Sequence, residues 1–146
     1  MKLNQEFFAI KLYEMERQYA KLQSRLRICG QEDRAKIREE LQRADDEYRE
    51  QNLVLQQSIE ASRSRAVKEL AQAQLTYNRR VEALLQGPLA EYLHSEKSSA
   101  KEDRAEAATL YAEYAIDFAT QSMRYALVAA LNAVDLQLDT QDSKGA

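Results

Sequence analysis

Residues 84–96 read LLQGPLAEYLHSE and hold the only proline, the only histidine and one of the three glycines of the 146-residue chain. Gly87 follows a long run of helix-forming residues, and Pro88 comes directly after it. Glycine is favoured just past the end of a helix. Proline is favoured at the first position of the next helix, because its fixed φ suits that position and no backbone donor is needed there. The pair therefore predicts a sharp corner, after which the chain folds back as an antiparallel helix.

Upstream of this corner, apolar residues recur at helical spacing. A first helix is predicted at about residues 3–29, because its apolar residues are separated by alternating steps of four and three, the heptad repeat of coiled coils. These residues are Phe8, Leu12, Met15, Tyr19, Leu22, Leu26 and Cys29. Gly30 is expected to end this helix. Since no glycine or proline follows until Gly87, a second helix is predicted over residues 31–86.

Downstream of the corner, a third helix is predicted over residues 88–138. Ser99 and Glu102 have the spacing of a capping box, which predicts a kink or break at about residues 95–99. A helix that continues through this stretch is the alternative. The C-terminal part of this helix is apolar around most of its circumference, so we expect it to touch several other helices. Residues 139–146 are expected to form a frayed tail.

The composition supports an all-α fold in a single domain. Charged residues make up 31% of the chain, and three glycines and one proline are too few for a turn-rich β fold. We therefore expect a long antiparallel helical hairpin, or a bundle of three to four helices with coiled-coil-like packing. The net charge of −3 argues against a dedicated nucleic-acid-binding protein. The single cysteine, and the lack of a recognisable signal peptide or membrane-spanning stretch, predict a cytoplasmic protein.

The predicted hairpin leaves apolar residues near the corner without cover. If the third helix runs back along the second, only two helices meet there, and two helices cannot hide large apolar side chains well. The residues concerned are Leu70, Tyr77, Val81, Leu84 and Leu89. A second copy of the chain would supply the missing helices. The sequence therefore predicts a homodimer, with these five residues as its interaction surface.

Glu91 and His94 have a spacing that some helical bundles use to bind metal. Glu and His three residues apart share one helix face, and di-iron bundles combine two such pairs with further carboxylates. Glu82 lies near the same corner and is a third candidate ligand. However, one Glu-x-x-His motif arises easily by chance in a chain rich in glutamate. We favour a solvated His94 near a helix end and expect no metal or other cofactor.

Residues 62–80 form a basic segment that could bind an anionic lipid or a nucleic acid. Its five basic residues are Arg63, Arg65, Lys68, Arg79 and Arg80. Glu69 interrupts the segment, and the chain is acidic overall. A solvated helix flank that faces an acidic neighbouring helix is therefore the favoured interpretation.

The aromatic residues near the C-terminal end are the last candidates for a ligand site. Tyr111, Tyr114, Phe118 and Tyr125 could line a cavity, although residues at such helical spacing more often belong to a core. With one histidine, one cysteine and no glycine-rich phosphate loop, no catalytic motif can be identified.

We therefore expect a non-enzymatic helical scaffold that self-associates through long amphipathic helices and offers a helical surface to a protein partner. The alternatives are a lipid- or nucleic-acid-binding module that uses residues 62–80 and, less favoured, a bundle that binds a metal or a small ligand.

Overall fold

The computed structural model describes residues 4–28 and 33–145, with side chains as far as residue 142. Five helices account for nearly all of these residues, and neither described range contains a strand. The helices are α1 Gln5–Ile28, α2 Arg34–Ala61, α3 Arg65–Leu85, α4 Pro88–Leu93 and α5 Ala100–Gly145. The all-α fold predicted from the sequence is confirmed.

Contacts between the helices divide the chain into two compact units. The hairpin unit, Asp33–Tyr114, contains α2, α3, α4 and the first part of α5. The terminal unit, Met1–Glu32 with Ala115–Ala146, contains α1 and the remainder of α5. Helix α5 therefore contributes to both units.

In place of the continuous helix predicted over residues 31–86, the chain breaks after α2 and begins α3. Ser64 caps the start of α3, where its side-chain oxygen accepts a hydrogen bond from the backbone N–H of Val67 at 3.3 Å. The hydroxyl oxygen of Ser62 accepts the backbone N–H of Ser64 at 3.2 Å. Serine side chains compete in this way with helical hydrogen bonds, which explains why the helix is interrupted at Ser62–Ser64.

Helix α3 folds back on α2, so that the two form a helical hairpin. The side-chain amide of Asn78 donates to Asn52 Oδ1 at 3.1 Å, and the guanidinium of Arg79 donates to Gln56 Oε1 at 3.5 Å. Ala71 and Leu75, on the inner face of α3, are two of the few buried residues in the described chain. The hairpin thus has a small packed centre with polar hydrogen bonds beside it.

The corner and the later break lie where the sequence predicts them. Pro88 is the first residue of α4, directly after Gly87. Residues 94–99 separate α4 from α5. The backbone N–H of Ser99 donates to Glu102 Oε1 at 3.3 Å, and the N–H of Glu102 donates to Ser99 Oγ at 3.1 Å. These two reciprocal bonds are the capping box that starts α5.

The terminal unit is loosely packed. The backbone N–H of Asn4 donates to Gln137 Oε1 at 3.2 Å, which ties the start of α1 to α5. On α1 the first heptad positions, Phe8, Leu12 and Met15, are half-buried, whereas Tyr19, Leu22 and Leu26 are exposed. No residue of this unit with a described side chain is buried. The predicted heptad and helix-end positions at Cys29 and Gly30 lie outside the described residues.

Helix α5 runs to Gly145, so residues 139–145 are helical where the sequence analysis expected a frayed tail. This stretch contains no proline, and no glycine precedes Gly145. The hydroxyl of Thr140 donates to the backbone oxygen of Leu136 at 3.0 Å within the helix. Polar residues alone do not end a helix, because most of them have adequate helix propensity.

Candidate functional site

The described chain buries few apolar side chains and exposes many. The buried apolar residues are Ala71, Leu75 and Ala107, whereas 28 large apolar side chains are exposed. Single exposed apolar residues are normal on protein surfaces, but contiguous ones mark sites of interaction. Exposed apolar residues that share one face of a helix are therefore the candidates for an interaction surface.

Helix α3 carries a stripe of apolar residues that is distinct from its buried residues Ala71 and Leu75 and that borders the inside of the hairpin unit at Tyr77 and Val81. Six residues, which we call the outer face of α3, follow one another at steps of four and three: Ala66, Leu70, Ala73, Tyr77, Val81 and Leu84. At about 100° per residue they span an arc of about 80°. Leu70 is 74% exposed, Tyr77 44% and Leu84 42%. Large apolar side chains thus recur every seven residues along an exposed stripe.

Four of the five residues predicted as an interaction surface lie on this face. Leu70, Tyr77, Val81 and Leu84 belong to the outer face of α3, and Val81 is half-buried. Leu89 lies on α4 and is also half-buried. That a second chain covers this face stays a prediction.

A groove of about 770 Å³ runs beside the outer face, within the hairpin unit. Residues of α2, α3 and α5 line it, and most of them are aromatic, aliphatic or amide residues. They are Tyr48, Asn52, Leu53, Tyr77, Asn78, Val81, Leu85, Gln86 and Tyr111, with the charged residues Asp45, Arg49 and Glu82. Tyr77 and Val81 belong to both the groove and the outer face.

Two groups of the groove, the guanidinium of Arg49 and the phenol of Tyr111, have a raised pKa. Arg49 Nε donates to Asp45 Oδ2 at 2.8 Å, and this hydrogen bond raises the pKa of Arg49 above its ordinary value. Burial raises the pKa of Tyr111, and the nearby Tyr77, Tyr48 and Glu82 add to the effect. Arg49 therefore stays charged and Tyr111 stays neutral near pH 7, so neither is tuned for proton transfer there.

Only one of the four aromatic residues predicted near the C-terminal end lines this groove. Tyr111 meets Tyr48 and Tyr77 there. Tyr114, Phe118 and Tyr125 line no part of it, and all three are exposed. The sequence analysis missed the partners of Tyr111 because their approach depends on the break between α2 and α3.

His94 binds a residue that the metal hypothesis did not include. Its Nδ1 lies 2.6 Å from Asp103 Oδ2, which joins the end of α4 to the first turns of α5. Asp103 is only 4% exposed. Hydrogen bonding by the hydroxyl of Ser98 first, and by the ring of His94 second, lowers the pKa of Asp103 below its ordinary value. The ionised carboxylate thus closes the turn between the two helices.

The three candidate metal ligands are not assembled into one site. His94 contacts Asp103, Glu82 lines the groove, and Glu91 is exposed on α4. Within residues 4–28 and 33–145, no group of three His, Cys, Asp or Glu side chains is arranged to hold a metal ion. Asp103 carried one sequence signal that could have found it, since carboxylates are favoured near helix N-termini.

The five basic residues of the 62–80 segment are spread along α3. Arg63 lies just before this helix, Arg65 and Lys68 lie in its first turn, and Arg79 and Arg80 lie near its end. Lys68 and Arg79 are separated by about 16 Å along the helix axis. Arg65 lies 3.9 Å from Glu69 in an exposed ion pair, and Arg79 donates to Gln56. The structure therefore brings no single patch of all five charges together.

The chain matches no protein-family model, no curated protein and no solved structure. Among the helices of the described ranges, none has a stretch long and apolar enough to cross a membrane.

Proposed function

We propose that this protein is a non-enzymatic helical scaffold that self-associates, as a homodimer, through coiled-coil-like contacts of its long helices. The observation that carries the proposal is the outer face of α3, where Leu70, Tyr77 and Leu84 are exposed at intervals of seven residues. A heptad-spaced apolar stripe is the feature by which one helix packs against another. Each large apolar side chain that becomes fully buried contributes about 1.5–3 kcal/mol.

The chemistry of the groove supports a packing role over a catalytic one. The guanidinium of Arg49 donates a hydrogen bond to Asp45, and the raised pKa of Tyr111 keeps its phenol neutral. Catalytic acids and bases work best when their pKa lies near the working pH. Tyrosine and amide side chains, by contrast, suit a contact surface that is partly apolar and partly hydrated.

The terminal unit offers further helical surface to a protein partner. On α5 the half-buried positions of this unit are occupied largely by small residues: Ala115, Ala119, Ala126, Ala130 and Ala133. The large apolar residues lie to either side and are exposed: Ile116, Phe118, Tyr125, Leu127, Leu131, Leu136 and Leu138. A helix with so wide an apolar arc suits contact with more than one neighbour. The proposal includes a cytoplasmic location, which the single cysteine supports.

Light scattering of the full chain over a range of concentrations tests this proposal. The chain mass is 16.8 kDa, and we expect the measured mass to approach twice that value as concentration rises. Dissociation on dilution would give the affinity. A mass of 16.8 kDa at every concentration would contradict self-association.

A further inference from the structure

Three tyrosines from three different helices line the groove of the hairpin unit. Tyr48 belongs to α2, Tyr77 to α3 and Tyr111 to α5. Tyr48 is 42% exposed and Tyr77 44%, and Tyr111 is half-buried, so each residue remains partly accessible. The face of an aromatic ring carries negative charge density and attracts cations. The groove therefore combines an aromatic lining with an attraction for positive charge.

Contacts between the helices form the groove without any ligand. The side-chain amide of Asn78 donates to Asn52 Oδ1 at 3.1 Å, and both residues line the groove. This hydrogen bond ties α2 to α3 next to Tyr77 and one turn from Tyr48. The volume of the groove, about 770 Å³, lies within the range of about 300–1,000 Å³ that is common for small-ligand sites. The groove is therefore preformed and large enough for a small organic ligand.

The charged residues of the groove leave an excess of negative charge. Asp45 and Glu82 supply two carboxylates and Arg49 supplies one guanidinium, a net charge of −1. Arg49 Nε donates to Asp45 Oδ2 at 2.8 Å, so these two charges largely neutralise each other. The carboxylate of Glu82 supplies the excess. Arg79 and Arg80 of α3 line no part of the groove. Charge complementarity therefore favours a cation over a neutral or anionic ligand.

The carboxylate of Glu82 lies near the tyrosines. Burial is the main cause of the raised pKa of Tyr111, and the neighbouring Tyr77, Tyr48 and Glu82 add to it. The three phenols and this carboxylate are thus close enough to act on one another through space. A single bound cation could interact with all four groups.

We propose that this groove binds a small organic cation with a quaternary ammonium head group. Such a head group donates no hydrogen bond, so aromatic rings and nearby negative charge recognise it. Tyr48, Tyr77 and Tyr111 supply the rings, and Glu82 supplies the charge. Ligand binding here is separate from self-association, because every lining residue belongs to the hairpin unit of one chain.

NMR titration of the full chain with choline tests the proposal, with the backbone amides followed in proton–nitrogen correlation spectra. The matched control ligand is the neutral isostere of choline, in which a tert-butyl group replaces the trimethylammonium group. We expect choline to shift the amide signals of the groove residues in a saturable way. The neutral isostere should bind more weakly because it lacks the charge. Ethanolamine should also bind more weakly, because its primary ammonium is strongly hydrated.

Two variants in the groove and two matched controls outside it locate the site. Glu82→Gln should raise the dissociation constant for choline about two- to fivefold. Tyr77→Leu removes one ring and should raise it about two- to thirtyfold. Glu69→Gln and Tyr92→Leu change exposed residues that do not line the groove and should leave the constant unchanged. Circular dichroism checks that each variant keeps its helical content. Since Glu82 is exposed, its variant serves even if Tyr77→Leu unfolds.

Three results would overturn the proposal. The first is the absence of saturable binding by choline. The second is equal binding of choline and its neutral isostere, or of choline and ethanolamine, because the charge or the aromatic lining would then not be recognised. The third is choline binding that shifts only amides outside the groove, or that neither Glu82→Gln nor Tyr77→Leu weakens.

Discussion

The contact between His94 and Asp103 shows how single side chains set a helix corner. Asp103 is buried at the start of α5, and its carboxylate is hydrogen-bonded to the ring of His94 at the end of α4. A buried carboxylate is tolerated only when hydrogen bonds favour its charged form. The sequence pointed to His94 as a candidate ligand but not to its partner, since the two lie nine residues apart across a break.

The lowered pKa of Asp103 predicts how stability changes with pH. Its pKa is below the ordinary 3.8 in the folded chain, so its stabilisation is fully present above that value. The stabilisation is then lost as the pH falls through the folded pKa. Melting temperatures measured by circular dichroism from pH 7 to pH 2 should therefore fall at the acid end. Asp103→Asn should be less stable at pH 7 and should show a smaller acid-dependent loss.

Glu113→Asn is a matched control for this experiment, because Glu113 lies exposed on the same helix. Its acid dependence should resemble that of the unaltered chain. If Asp103→Asn and the unaltered chain lose the same stability between pH 5 and pH 2, then ionisation of Asp103 is not the cause of the acid-dependent loss.

At the scale of helices, the sequence predicted the boundaries at Gly87–Pro88 and at the Ser99–Glu102 capping box. It missed the boundary between α2 and α3. Gly87–Pro88 and the Ser99–Glu102 capping box are strong local signals, and helices begin or end at both. The break at Ser62–Ser64 has neither glycine nor proline. Its capping hydrogen bonds depend on side-chain geometry that helix-forming propensity does not reveal.

This missed break also changed which residues of α3 face inward. Among the apolar residues of this helix the sequence singled out only Leu70, Tyr77, Val81 and Leu84, whereas the structure has two faces: a buried one around Ala71 and Leu75, and the exposed outer face. Which face is buried could not be chosen from spacing alone, because both repeat at steps of three and four. The fold-back of α3 on α2 decides it.

The capping role of Ser64 gives a prediction for this boundary. Ser64→Ala removes the side-chain acceptor for the N–H of Val67 and should reduce the free energy of unfolding by about 0.5–2 kcal/mol. Urea denaturation followed by circular dichroism measures the loss. Ser122→Ala, within α5, should cost nothing or stabilise slightly, because alanine has the higher helix propensity. Equal stability of Ser64→Ala and the unaltered chain would contradict the capping role.

At the scale of the whole molecule, exposed large apolar residues far outnumber buried ones in the part of the chain that the structure describes. A few small buried residues cannot offset the conformational entropy that long helices lose on folding, since backbone ordering alone costs about 1–2 kcal/mol per residue. Burial of the exposed faces in an assembly would supply the missing stabilisation. The sequence predicted an interaction surface at the residues near the corner, and that a second chain covers this surface stays a prediction.

Sedimentation equilibrium of the unaltered chain beside a Leu70→Ser and Leu84→Ser double variant tests the central claim most directly. Leu41→Ser, an exposed leucine changed on α2, is the control. We expect the unaltered chain and the control to sediment as dimers, and the double variant to dissociate at concentrations where they do not. Equal association of all three proteins would contradict the claim that the outer face of α3 holds the chains together.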